Sequence, residues 1–107
     1  MPDVVLVSAE PLAYRTTIAA ALRLLRPEVE VVEAELSDRD EVIARLRPAL
    51  VLCSCPAPAD GAAIWVELYP DGADRTLVSE GGRRRWVEHP TLADLVALLD
   101  RAALPVS

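Results

Sequence analysis

The sequence predicts an α/β fold, a three-layer sandwich around a mostly parallel sheet, in one domain spanning residues 1–107. Short apolar, β-branched runs alternate with amphipathic helical segments through the first half of the chain. Two helix-to-strand junctions share the same Leu-Arg-Pro punctuation, at 25–27 and 46–48. Such alternation is typical of right-handed βαβ units, whose strands lie parallel in one sheet.

The first half of the chain supplies three predicted strands and two predicted helices. Apolar or alternating runs predict strands at 4–8, 29–35 and 49–55. Apolar stripes at helical spacing predict helices at 10–27 and 37–48, each ended by a proline. The second helix starts with Ser37 or Asp38 and has an acid three residues later, which resembles a capping box. The third strand is apolar on both faces, as expected for a central parallel strand.

The pattern changes in the second half, where the middle helices are predicted to be shortened or missing. The loop 56–61 is too short for a crossover helix, and 62–69 follows it as a fourth strand. Two β-rich runs around a pair of glycines predict a hairpin over 75–89. A final helix over 90–104 has Thr91 as its N-cap and an acid three residues later. The predicted fold therefore ends with a C-terminal β-hairpin followed by the last helix.

Composition and charge exclude several classes of function. The chain has 107 residues, of which 52% are hydrophobic and 26% charged, and this balance is typical of a globular domain. The net charge of −6 argues against a nucleic-acid partner, because phosphate binding needs a basic surface. No apolar run approaches the roughly 20 residues that span a bilayer, and the first residues lack the basic start of a signal peptide. We therefore expect a cytoplasmic protein with no membrane partner.

Three stretches of the chain resemble response-regulator receiver domains. Residues 4–35 look like the first strand, first helix and second strand of that family. The run Arg-Pro-Ala-Leu-Val-Leu-Cys-Ser at 47–54 is similar to the third strand. Residues 86–102 look like the last strand, the Lys-Pro turn and the last helix. The resemblance implies a flavodoxin-like fold with a sheet ordered as in receivers.

The residues that carry receiver chemistry are replaced in this sequence. The family's acidic pair, which holds Mg²⁺, corresponds to Ser8 and Ala9, with Glu10 the remaining acid. The phosphate-accepting Asp corresponds to Ser54, and the Lys before proline corresponds to His89. A hard cation needs charged oxygen ligands, and a serine hydroxyl does not replace a carboxylate nucleophile. We therefore expect a degenerate pseudo-receiver with no metal, no cofactor and no enzymatic activity, which signals or assembles through protein contacts.

Two other functions remain open from the sequence. Cys55 ends the third predicted strand, and a reactive thiol there would suit a small carrier or enzyme. The spacing of Cys53 and Cys55 on one strand is poor for a disulfide, so both are predicted to be reduced thiols. The same strand ends could instead hold a small ligand, which would make the protein a sensor.

The predicted layers leave one face of the sheet short of cover. The first and last helices suffice for one face, whereas the other face has the short second helix alone. Trp65 and Trp86 lie in the segments that replace the missing helices, and exposed apolar patches with aromatic residues mark interfaces. The sequence therefore predicts a homodimer with both tryptophans as interface candidates. The rival prediction is a monomer whose hairpin folds back over its own sheet.

Overall fold

The computed structural model describes five parts of the chain, residues 4–9, 12–54, 64–68, 75–80 and 83–102. These contain six strands: β1 Val4–Ser8, β2 Glu30–Glu33, β3 Leu50–Cys53, β4 Ile64–Leu68, β5 Arg75–Glu80 and β6 Arg83–Glu88. They also contain three α-helices, α1 Leu12–Leu25, α2 Arg39–Leu46 and α3 Leu92–Ala102, with a 3₁₀ turn at Leu36–Asp38 before α2. Each strand and α-helix lies within a segment predicted as that type. None of these helices is long and apolar enough to cross a membrane.

The six strands form one sheet in the order β2-β1-β3-β4-β5-β6. The first four are parallel, whereas β5 pairs antiparallel with β4, and β6 pairs antiparallel with β5. The prediction of a mostly parallel, flavodoxin- or receiver-like three-layer sandwich is therefore wrong, because the sheet is mixed. The physical reason is the connection from β4 to β5, residues 69–74. It has six residues, whereas the parallel connection from β3 to β4, residues 54–63, has ten, which is close to the dozen or so that a parallel crossover usually needs.

Local contacts set the ends of the helices. Thr91 and Asp94 form the predicted capping box of α3: the Thr91 amide donates to Asp94 Oδ2 at 2.9 Å, and the Asp94 amide donates to Thr91 Oγ1 at 3.3 Å. The capping box predicted for α2 is not formed, since the Asp38 side chain makes no capping hydrogen bond. Arg47 ends α2 in the left-handed conformation at φ 47°, and Pro48 prevents its continuation.

Two apolar clusters pack on opposite sides of the sheet. The larger cluster lies between α1, α3 and the sheet, and takes buried residues from β1 through β5. The smaller cluster lies under α2 and contains Leu6, Ala34, Val42, Val51, Cys53 and Trp65. The strand residues of this smaller cluster belong to β1, β3 and β4, so the cover that α2 provides stops short of the β5–β6 hairpin.

Candidate functional site

The carboxyl ends of β1 and β3 are adjacent, as the receiver resemblance implies, but their last residues are uncharged. Ser8 lies opposite Cys53 in the sheet register, and the Ser54 amide donates to the Ser8 carbonyl at 3.4 Å. Ser8 and Ala9 are both fully buried. Within the described residues, no group of three or more His, Cys, Asp or Glu side chains could hold a metal ion. Glu10, the remaining acid, lies outside the described residues.

The Ser8 hydroxyl is buried without a hydrogen-bond partner. It lies on the α2 side of the sheet together with Leu6, because alternate strand residues share a face. A buried hydroxyl without a partner costs roughly 1–3 kcal/mol of stability. An enclosed neutral hydroxyl cannot supply the charge that a receiver's cation needs, and here it also weakens the core.

Cys53 ends β3 and is fully buried in the smaller cluster. It is disulfide-bonded, so the prediction that it is a reduced thiol is wrong. That prediction assumed two cysteines on one strand, but β3 stops at Cys53 and the chain bends at Ser54. Arg39 lies beside it, with Nη1 4.0 Å from Cys53 Sγ. Cys55, the predicted reactive thiol, lies outside the described residues.

His89 is not brought to the strand ends that hold Ser8 and Ser54. It follows β6, and β6 is separated from β3 by β4 and β5. Three strand spacings place the ends of β3 and β6 about 14 Å apart. His89 is exposed and has a left-handed backbone conformation with φ 48°. The substituted positions of the receiver motif therefore do not form one site.

The two tryptophans that the sequence pairs as interface candidates occupy different environments. Trp65 is 4% exposed and packs in the smaller cluster, with Arg39 Cζ 5.8 Å from its ring centre. Trp86 is 46% exposed on β6, and Arg75 Cζ lies 4.0 Å from the centre of its ring. Trp65 is therefore a core residue, whereas Trp86 presents much of its ring to solvent.

Trp86 belongs to a surface that we call the open face, on the α2 side of the β5–β6 hairpin. Its members alternate along the two strands and are Arg75, Leu77, Ser79, Arg84, Trp86 and Glu88. Leu77 lies opposite Trp86, so an aliphatic and an aromatic side chain are surrounded by polar ones. The hairpin does not fold back over its own sheet, because β5 extends the sheet from β4. The monomer of the rival prediction stays a prediction.

β6 is an edge strand, with no further strand beside it in the described structure. All of its residues except Val87 are exposed, and it begins with three consecutive arginines. An edge strand presents unpaired amide and carbonyl groups along one side, so another strand can pair with it. Sequence reasoning missed Leu77 as a half-buried member of the open face, although the two-residue spacing at 81–82 sets the register that brings it opposite Trp86.

A small cavity lies on the opposite side of the sheet, between α1 and α3. Its volume is about 210 Å³, and it is lined by Thr17, Ile18, Ala21, Leu68, Pro90, Thr91, Leu92 and Leu95. The Thr17 hydroxyl donates to the Ala13 carbonyl, and the Thr91 hydroxyl accepts from the Asp94 amide, so both hydroxyls are engaged. Ligand pockets usually enclose about 300–1,000 Å³ and keep a few polar groups for the ligand. This cavity therefore gives no support to the predicted ligand sensor.

Comparisons with known proteins assign no family. No protein-family model matches the chain, and no curated protein matches it. The resemblance to receiver domains therefore stays a prediction from the sequence.

Proposed function

We propose that this protein is a non-catalytic module that acts through protein contacts, and that one partner is a second copy of itself. The observation that carries the proposal is the 46% exposure of Trp86 on the open face. An exposed aromatic residue beside an open sheet edge is a typical anchor of a protein interface. Receiver ancestry is a separate prediction, which this proposal does not need.

A second copy suits the open face because that face carries both signs of charge. It contains Arg75, Arg84 and Glu88 around Leu77 and Trp86. A twofold interface uses the same patch on both copies, so basic residues of one copy can meet the acid of the other. A patch with one sign of charge would repel its copy, because like charges directly opposite are destabilising.

The substituted strand ends support a role without catalysis. Ser8 and Ala9 are buried and uncharged, and His89 follows a strand that is three positions away from β3 in the sheet. Incubation with acetyl phosphate and Mg²⁺ should therefore leave the intact mass of the protein unchanged. A stable gain of one phosphoryl group would contradict the proposal.

Light scattering coupled to size exclusion tests the homodimer. The chain has a mass of 11.6 kDa. At tens of micromolar we expect about twice this mass, falling toward the monomer on dilution. A monomer mass that does not change on further concentration would rule out the homodimer.

A further inference from the structure

The sequence of β6 restricts how two copies could pair along this edge. In an antiparallel pair related by a twofold axis through a residue, that residue lies opposite itself. A twofold axis that passes between two consecutive residues would place each residue opposite one an odd number of positions away. Such residues point to different sides of the sheet, whereas residues opposite each other in a ladder point to the same side, so this arrangement is excluded. Near the middle of β6 three registers remain, with Arg85, Trp86 or Val87 at the axis.

Two of these registers are unfavourable. With Arg85 at the axis, two like charges lie directly opposite each other, which is destabilising. With Val87 at the axis, Trp86 lies opposite Glu88, and Arg85 lies opposite His89. The left-handed backbone of His89, at φ 48°, is not that of a strand. This ladder would therefore be short and would contain no pair of opposite charges.

The register centred on Trp86 is self-complementary. The two Trp86 residues lie opposite each other at the axis, and Arg84 of each copy lies opposite Glu88 of the other. Aromatic pairs and pairs of opposite charge both stabilise antiparallel sheets. Neither Arg84 nor Glu88 forms an ion pair inside the described part of the chain, so a second copy would supply both with a partner.

Arg75 positions the Trp86 ring on the open face. Its guanidinium carbon lies 4.0 Å from the ring centre, and β5 holds it next to β6. A cation over one face of an indole ring is attracted by the ring's quadrupole. The contact therefore favours one orientation of the ring before a second copy arrives, which reduces the entropy lost on pairing.

We infer that β6 strands of two copies pair antiparallel about a twofold axis at Trp86, with Arg84 of each copy opposite Glu88 of the other. Two six-stranded sheets then become one continuous sheet, with both tryptophans on the same side. This inference rests on the proposed homodimer and specifies its contact.

Disulfide trapping reads the register directly. With Trp86 at the axis, residue 85 of one copy lies opposite residue 87 of the other at a Cα distance of about 4.5–5.5 Å, within disulfide range, whereas residue 85 or 87 meets its own copy diagonally at about 7–8 Å. Under mild oxidation, an equal mixture of Arg85→Cys and Val87→Cys, which keeps Trp86, should therefore form a covalent dimer at least about tenfold faster than either variant alone. The unmodified chain under the same oxidant is the control for its own two cysteines.

Charge exchange tests the same register with Trp86 in place. Arg84→Glu and Glu88→Arg should each weaken the dimer about tenfold, because each places two like-charge pairs across the interface. The double variant Arg84→Glu/Glu88→Arg restores opposite charges and should recover the native dissociation constant to within about threefold. Arg85→Glu changes the net charge equally but lies opposite Val87, so it should leave the dimer nearly intact.

The outcomes distinguish the register from the homodimer itself. A monomer in every experiment would overturn both. A dimer that is trapped as readily by either cysteine variant alone, or that is not trapped by their mixture, would overturn the register and leave the homodimer standing. If the native chain dimerises but the double variant Arg84→Glu/Glu88→Arg does not recover the dimer, the register is likewise overturned and the homodimer stands.

Discussion

The two edges of the sheet differ in what covers them. β2 has four residues, begins and ends with glutamate, and lies beside α1. Arg23 of that helix donates to the Val31 carbonyl at 2.9 Å, and Arg15 donates to the Ala34 carbonyl at 3.2 Å. Arg23 therefore occupies a backbone acceptor of β2, and Arg15 one just beyond the end of the strand, which makes this edge less open to another strand.

β6 forms the other edge and is longer and more exposed. It has six residues, and all except Val87 are exposed. Charged residues on an edge strand usually prevent pairing. Here Glu88 lies four residues after Arg84, with Trp86 midway between them. When Trp86 is at the twofold axis, Arg84 of each copy therefore lies opposite Glu88 of the other. The comparison teaches that arginines from a neighbouring helix can hinder pairing at a sheet edge. An edge strand that carries charges of both signs around an aromatic residue can instead pair with the same strand of a second copy.

The largest expected effect separates the two tryptophans. Trp65→Glu places a carboxylate in the smaller cluster and should lower the free energy of unfolding by about 4 kcal/mol or more. Trp86→Glu should lower it by less than about 1 kcal/mol, because that side chain is 46% exposed, but it should abolish the dimer. Urea unfolding at low protein concentration and light scattering measure the two effects. A dimer that survives Trp86→Glu would contradict the interface.

A matched pair of glutamates compares the edges themselves. Glu33 on β2 accepts hydrogen bonds from Thr16 and Arg23 of α1, and Arg15 Nε lies 3.9 Å from it. Glu33→Ala should therefore cost about 1 kcal/mol of folding stability without changing the dimer. Glu88→Ala should do the reverse, weakening the dimer while the monomer unfolds at the same urea concentration. If Glu33→Ala and Glu88→Ala weakened the dimer equally, the proposed difference between the two edges would be contradicted.

The positions of helices and strands are predictable from this sequence, because they depend on local patterns. The apolar run of β3 and the helical stripe with Ile18 and Leu22 both lie inside predicted segments. The class of the sheet depends instead on the direction of β5 and on the short connection 69–74. The resemblance to receivers does not cover that part of the chain, so it carried no information there.

The candidate site was predictable in part for the same reason. Ser8 and Ser54 lie at adjacent strand ends, as their places after apolar runs imply. His89 lies away from Ser8 and Ser54 because β5 is inserted between β4 and β6, the strand before His89. The residues around His89 do not indicate how many strands separate it from β3. Trp65 and Trp86 differ in burial because α2 reaches β4 but not β6, which the spacing of residues within either strand does not show.

The smallest expected effect concerns an ion pair away from both edges. Arg26 Nε and Nη2 donate to the two carboxylate oxygens of Asp100 at 2.7 Å, joining the end of α1 to α3. The hydrogen bond from Arg26 lowers the pKa of Asp100. The pair therefore stabilises the folded state above the unfolded pKa of about 3.9, and this stabilisation is lost as the pH falls through the folded pKa.

Asp100→Asn should consequently be slightly less stable than the native chain at pH 7. The difference between their urea midpoints should shrink as the pH falls below about 3.9, because the native carboxylate is then protonated as well. The mass measured by light scattering at pH 7 should be the same for both proteins. A difference in urea midpoint that grows in acid would contradict the assigned direction of the pKa shift.

Residue-resolved amide hydrogen exchange, measured at several protein concentrations, tests the β6 contact most directly. In a monomer, every second amide of an edge strand points away from its neighbour into water and exchanges readily. We predict that such amides of β6 become more protected as the concentration rises, while the amides of β2 keep the same protection. If exchange along β6 is independent of concentration across the range in which the mass doubles, the dimer forms elsewhere and the account of this edge is wrong.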